Sequence, residues 1–375
     1  MDAVRRGWRP DASVPRMSWD QDSEVRSPVG RSSAELLMTG PARQRLAGFE
    51  TVYRDIVDFI VRCTHRIWEE KNVGLCRTHY SADCELHTLG GPSVGMEIVT
   101  QNTIGSLSGY ADRVVLAEDV IWSEDTPGEY YTSHRIMSRS THFGDEAGIG
   151  NATMRPSGTT TIADCKVIAN RIVEEWLVRD NVRALWQIGA DPRNLAETQA
   201  QADMTGDPQR HAWRAAMLAD TRALADVEIA TDHPAALPAA MLCGAFRDDL
   251  YGEAAQALSP AAEVRWPSGR NGFGRGYWIG CAMQITAMLH DRSFRVEHVA
   301  ARPLPHGDIA VALRWSLAGH HRGFGPWGPP FGREVVLLAV SHYRLRAGLV
   351  IDDRTVFDEV ATLRQVAGGL GSERA

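Results

Sequence analysis

The chain has 375 residues, 44% of them hydrophobic and 23% charged, with a formal net charge of −7 and a pI of about 6.0. That balance is ordinary for a globular protein of two domains and gives no sign of the basic surface a nucleic-acid binder needs. The longest apolar run, VVLLAV at 335–340, is far too short to cross a bilayer.

Residues 1–43 are rich in Arg, Ser, Pro and Asp and show no hydrophobic period, so they are expected as a flexible extension, with Trp8 and Trp19 as anchors onto the body of the protein. No apolar core of a secretory signal is present there, which makes a cytoplasmic location the expectation. The six cysteines, Cys63, Cys76, Cys84, Cys165, Cys243 and Cys281, form no CxxC pair and read as isolated reduced thiols, mostly buried.

Apolar residues then recur every three to four positions in FETVYRDIVDFIVRCTHRIWEEKN, which predicts an amphipathic helix over 49–72. A short strand is expected around Cys84–His87, a Gly-Pro turn at 90–92, and a second helix over 96–110. Four strands follow, at 113–122, 129–142, 158–168 and 171–179, joined by Gly- and Asp-containing turns. An Ala- and Arg-rich stretch predicts a linker helix at 205–228. The order then recurs: a helix over 236–257, a strand at 262–267, a Gly-rich turn at 269–276, a helix over 277–290, and strands at 294–302, 308–318, 332–346 and 349–357. Helices first, then a run of strands with short connections, is an α+β order, not an alternating βαβ one.

An offset of 178 residues (180 to 358) superimposes Val178 on Val356, Asp180 on Asp358, Val182 on Val360, Leu185 on Leu363 and Gln187 on Gln365, and lays the acidic pair Glu174-Glu175 on Asp352-Asp353. At an offset of 179, Arg135 falls on Arg314, His142 on His321 and Gly144 on Gly323. A repeat of this length is a whole domain, not a solenoid unit. The expected organisation is an extension at 1–43, a first domain at 44–200, a linker at 201–235 and a second domain at 236–375.

EEWLVRDNVRALWQIG (174–189) and the Gly- and Pro-rich HHRGFGPWGPPFGREV (320–335) resemble the nuclear transport factor 2-like superfamily, and within it the SnoaL-like polyketide cyclase branch. The resemblance covers about 46–190 and 236–368. It implies two tandem cone-shaped α+β barrels, each a curved antiparallel sheet wrapped around a long helix with an apolar pocket at one end. It also implies pairing through the sheets, either as a pseudo-dimer within one chain or as a homodimer. In relatives that pocket hosts cyclisation, isomerisation, dehydration, hydrolysis or ligand binding alone, and fold does not choose among them.

Asp180 and Asp358 match approximately the last-strand aspartate that such cyclases use as general acid/base. Period-two alternation puts Glu174, Trp176, Val178 and Asp180 on one strand face. An acid beside tryptophan in an apolar cavity has its pKa raised, which suits proton abstraction next to a carbonyl. Each Asp also directly precedes a helical segment, so each reads equally as a helix N-cap. His342 stands 16 residues before Asp358, and Asp164 16 before Asp180. If these strands form hairpins, each pair faces across it, the histidine shuttling a proton and the carboxylate pair pushing one pKa up. His134 is a candidate for the pocket lining, with a satisfied core histidine as its plain alternative. Tyr80, Trp122, Tyr131 and Trp176 are candidate lining aromatics. Arg135 reads as a salt bridge or as a clamp for a substrate carboxylate.

No HxH or HExxH spacing supports a metal, and GRNGFGRG (269–276) lies in no βαβ unit, so neither a metal nor a nucleotide cofactor is expected. The reading is a cofactor-independent acid/base enzyme of cyclase, isomerase, dehydratase or hydrolase type, acting on a small, largely apolar carbonyl compound. Copy one carries more of the polar candidates. The rival is a non-catalytic small-molecule-binding or assembly module.

Overall fold

Asp55 marks the start of the first long helix. In the computed structural model its side chain accepts the Asp58 N–H at 2.7 Å, and helix α1 runs Ile56–Trp68. It begins seven residues later than the apolar period suggests. Residues 49–54 fold as turns instead, with the Tyr53 hydroxyl 2.5 Å from His79 Nε2. The period is nevertheless real: Ile56, Phe59, Ile60, Cys63 and Ile67 are all buried on one stripe.

The structure describes residues 16–17, 25, 27–29, 31–88, 93–145, 148–205 and 209–368. Trp8, Trp19 and the Gly-Pro turn at 90–92 lie outside them. Part of the N-terminal extension is regular: Ser33–Leu36 is a short helix closed by a capping box between Ser32 and Glu35. The chain divides into two compact units, Asp20–Leu195 and Met1–Trp19 with Ala196–Ala375.

In the first unit, α1 is followed by β1 (Tyr80–His87), β2 (Ser93–Val94), α2 (Met96–Gly109), β3 (Val114–Thr126), β4 (Glu129–Thr141), β5 (Pro156–Ile168), β6 (Arg171–Arg179) and α3 (Asn181–Ile188). The six strands make one sheet in the order β2-β1-β6-β5-β4-β3. It is mixed, not purely antiparallel as expected from sequence. β1 pairs with β6 in parallel, because α2 and the β3–β6 meander return the chain to β1 in the same direction. Gly95 starts α2 at φ 93, and a Cβ there would fall 2.9 Å from the Ala82 carbonyl oxygen, so only glycine lets α2 lie this close to β1.

In the second unit, the linker region forms two helices, α4 (Pro192–Thr205, where the division between units falls) and α5 (Gln209–Ala223). Then come α6 (Ala236–Phe246), β7 (Leu258–Trp266), β8 (Arg270–Phe273), α7 (Gly274–Thr286), β9 (Leu289–Pro303), β10 (Ile309–His321), β11 (Arg333–Arg346), β12 (Leu349–Phe357) and α8 (Glu359–Ala367). The helix expected over 236–257 stops at Phe246: Asp249 takes φ 58, and the chain restarts as a short turn of helix at Tyr251–Ala254. The sheet order is β8-β7-β12-β11-β10-β9, again with one parallel pair, β7 with β12. Buried Asp203 accepts from Arg364 and, at 3.2 Å, from Arg214, tying α4 to α8 and α5. The architecture is α+β: two six-stranded mixed sheets with helices. Among the described residues no helix is long and apolar enough to cross a membrane.

Candidate active site

The first unit contains a cavity of about 260 Å³ between α1, α2 and one face of the sheet. Strand alternation decides what reaches it. On β6, Glu175, Leu177 and Arg179 line the cavity, and on β5 so do Thr161, Ala163 and Cys165. Their neighbours Glu174, Trp176 and Asp164 therefore point to the opposite face. The size lies just under the roughly 300–1,000 Å³ typical of ligand pockets, enough for a molecule of one or two rings.

Glu175 is 6% exposed, and burial pushes its carboxyl up to about 7. A hydrogen bond with Tyr80 and the charge of Arg179 pull more weakly the other way. Tyr80 lines the cavity too, and burial holds its phenol well above the usual range, so it stays protonated and donates. His134 is 1% exposed, and burial pushes its imidazole down to about 3, so it is neutral near pH 7. The cavity thiols Cys63 and Cys165 are pushed up by burial, which leaves them protonated and poor nucleophiles.

Asp180 is the N-cap of α3, its side chain accepting the Arg183 N–H at 3.3 Å, and Asp358 caps α8 through the Ala361 N–H at 3.1 Å. Neither lines the cavity. The hairpin geometry also separates the proposed pairs. Asp164 stands opposite Trp176, not Asp180, and His342 stands opposite Arg354, not Asp358, because the turns at 169–170 and 347–348 set the register. Asp164 is fully buried and accepts from the Tyr131 and Ser133 hydroxyls on the face away from the cavity. His342 is buried between Ser341 and Tyr343, and those two, by alternation, point to the other side of the sheet. Trp176 stacks on His87 at 5.0 Å, and Trp122 packs in the core against Tyr130. Arg135 bonds Glu118 at 3.1 Å, the same pairing that Arg314 makes with Glu297 at 3.2 Å. It is a strand-to-strand bridge. Of the predicted residues, the structure brings His134 and Tyr80 to the cavity. Glu175, Arg179 and Thr64 join them, and only the doubled acid of EEWLVR, read on its other face, pointed to Glu175.

One group outside the cavity has metal-ligating character: Glu85, His87 and Glu174 bring three donor atoms within 4.8 Å of one another on the far face of β1 and β6. His87 is already occupied, with Glu174 at 2.8 Å and the Trp176 ring beside it.

In the second unit the corresponding strand positions carry bulk. Leu313, Trp315, Leu317, Tyr343 and Phe357 belong to one buried apolar cluster. Asp353 is fully buried there, and burial pushes it up to about 7. Its Oδ2 accepts from Trp266 Nε1 and Trp278 Nε1, both at 3.0 Å, and Oδ1 accepts from Thr355 Oγ1 at 2.7 Å.

No family model matches the chain, and no curated protein matches it. Among solved structures, a putative polyketide cyclase, IdmH from Streptomyces antibioticus, is 22% identical over 36% of this chain and 97% of its own, with a TM-score of 0.31. AclR, a putative hydroxylase from Streptomyces galilaeus, is 18% identical over 36% of this chain and 98% of its own, TM-score 0.31. A putative SnoaL-like polyketide cyclase from Jannaschia Sp. CCS1 is 20% identical over 35% of this chain and 92% of its own, TM-score 0.28.

Proposed function

We propose that the first unit is a cofactor-independent acid/base enzyme acting on a small, largely apolar carbonyl compound, with Glu175 as the group that moves the proton. The chain is read as two tandem SnoaL-like copies, the first holding the site and the second serving structure. The observation that carries this reading is a buried carboxyl poised near pH 7 inside a cavity of ligand size. A carboxylate with its pKa raised that far is a stronger base than an exposed one, yet still ionised in a useful fraction of molecules.

In the step proposed, the Glu175 carboxylate takes a proton from the carbon beside the carbonyl. The electron pair moves onto the carbonyl oxygen as an enolate, and the Arg179 charge stabilises that oxygen. The Glu175 carboxylic acid then returns the proton to another carbon or to the oxygen, so atoms and electrons balance within substrate and enzyme. Asp180 and Asp358 are assigned to the helix caps, not to the chemistry.

The test is deuterium exchange at carbons beside the carbonyl, followed by NMR over a panel of one- and two-ring ketones in D₂O. The expected result is exchange above background that falls about 10²- to 10⁴-fold in Glu175→Gln and persists in Asp180→Asn. No exchange over the panel, or exchange indifferent to Glu175→Gln, overturns the reading. The non-catalytic rival would then be supported by binding without exchange.

A further inference from the structure

His134 stands on the cavity wall with its two ring nitrogens in different situations. Nδ1 lies 3.4 Å from Thr64 Oγ1, and that hydroxyl spends its own proton on the Ile60 carbonyl at 2.8 Å, one turn back along α1. Thr64 can therefore only accept from His134, which puts the ring proton on Nδ1. Nε2 is left as a bare lone pair. It is buried and has no hydrogen-bond partner among the protein atoms.

Burial depresses the His134 pKa, so the imidazole remains neutral. A neutral acceptor in such surroundings repels a carboxylate or phosphate and has no fixed charge to hold a cation. It is complementary to a neutral donor.

The register sets the distance to the reacting end. His134 pairs with Ala163 and Ala163 with Leu177, two residues beyond Glu175 on the same face. Two strand spacings across and two residues along separate the His134 and Glu175 Cα atoms by roughly 12 Å. Both residues line the cavity from the same sheet face, and a ligand of one or two rings would span the gap between them.

From the unpartnered Nε2 of this cavity-lining histidine we propose that the ligand of the first unit carries a hydroxyl group, and that His134 selects for it by accepting its hydrogen bond while the rest of the ligand extends toward Glu175. His134 is thus a specificity-determining residue of the site assigned above, and the inference rests on that assignment. The competing occupant of Nε2 is a single water. A second, smaller void of about 10 Å³ also touches His134, Thr64 and Ile136, close to the least space one water needs.

The experiment compares 2-naphthol with 2-methoxynaphthalene, which differ in donor ability at one position, by isothermal titration of the full chain. The expected result is binding of the naphthol at least about tenfold tighter than the ether, a margin that His134→Leu erases and His134→Gln, whose side-chain oxygen can accept, partly restores. Leu313 holds the matching register position in the second sheet, opposite Ser341 as His134 is opposite Ala163, and is fully buried, so leucine is compatible with this strand. Thr64→Val, which removes the lock on the ring, should also shrink the margin. Equal binding of the two compounds, or a margin that survives His134→Leu, overturns the inference and leaves the role of Glu175 standing. Binding of neither compound, together with no binding of the ketone panel, takes down both. A measurement on the unaltered protein stands apart from any variant: ¹⁵N spectra of labelled histidine should show the His134 ring protonated at Nδ1, and a ring protonated at Nε2 refutes the proposal.

Discussion

Glu175 and Asp353 occupy the same place in their two sheets. Each lies on the last strand of its meander, Glu175 opposite Cys165 and Leu86, Asp353 opposite Tyr343 and Val264. Burial pushes both carboxyls up to about 7. They differ in what surrounds them. Asp353 is gripped by two indoles and a threonine hydroxyl within packed apolar side chains, whereas Glu175 faces a cavity. The same buried carboxyl is enclosed by packed side chains in one unit and borders open space in the other.

That relationship fixes the sign of the pH dependence. A carboxyl whose folded pKa lies above its unfolded value binds its proton more tightly when folded. Stability is then fully present below about pH 4 to 4.5 and is lost as pH rises through about 7. For Glu175 the shift corresponds to about 3 kcal/mol. Replacing it by Gln should flatten the fall in melting temperature between pH 4.5 and 7 and raise stability at pH 7.5. Calorimetry at several pH values checks this, and a Glu175→Gln profile parallel to the wild type would show that the carboxyl is not buried as described.

Asp353 should behave as structure. Asp353→Ala strands two indole N–H donors in the core at about 1–3 kcal/mol each, so a large drop in melting temperature is expected with no effect on ligand binding in the first unit. Asp353→Asn retains a carbonyl oxygen for the indoles and should cost less. If Asp353→Ala left stability unchanged, the Trp266 and Trp278 bonds would carry no weight.

Asp180 and Asp358 offer a third contrast. Each accepts one backbone N–H at the start of its helix, so alanine at either position should cost about 1 kcal/mol without altering affinity for cavity ligands. A loss of binding or exchange in Asp180→Asn that exceeds the loss in Glu175→Gln would return Asp180 to the chemistry.

Strand positions were legible in the sequence because alternation and β-branched runs are local: β6 and β12 lie at 171–179 and 349–357, where the pattern predicts them. The face of β6 was not. Glu174-Trp176-Val178 and Glu175-Leu177-Arg179 each offer an acid followed by bulk, and only the packing of α1 and α2 decides which set turns inward. Nor could spacing reveal that Asp164 meets Trp176, since the hairpin register depends on where the turn falls. The parallel pairing of β1 with β6 depends on chain return over some 90 residues and leaves no local signature. The two caps were readable as caps, Asp before a helical run. What the sequence could not weigh was that capping already occupies the side chain.

The difference between the two interiors supplies the last prediction. Ile136 lines the cavity opposite Thr161, and at the matching position of the second sheet Trp315 stands opposite Ala339, fully buried among aromatics. Ile136→Trp therefore places in the first unit a side chain that this strand position already accommodates in the second. Overpacking normally costs about 1–3 kcal/mol, but here the added ring enters empty volume and removes a void, so the melting temperature should stay level or rise. Affinity for 2-naphthol should fall by at least about tenfold, because the space it needs is taken. Calorimetry and titration on one preparation decide the matter. Retained stability with lost binding locates the ligand in the cavity, while retained binding places it elsewhere and removes the basis for assigning chemistry to Glu175.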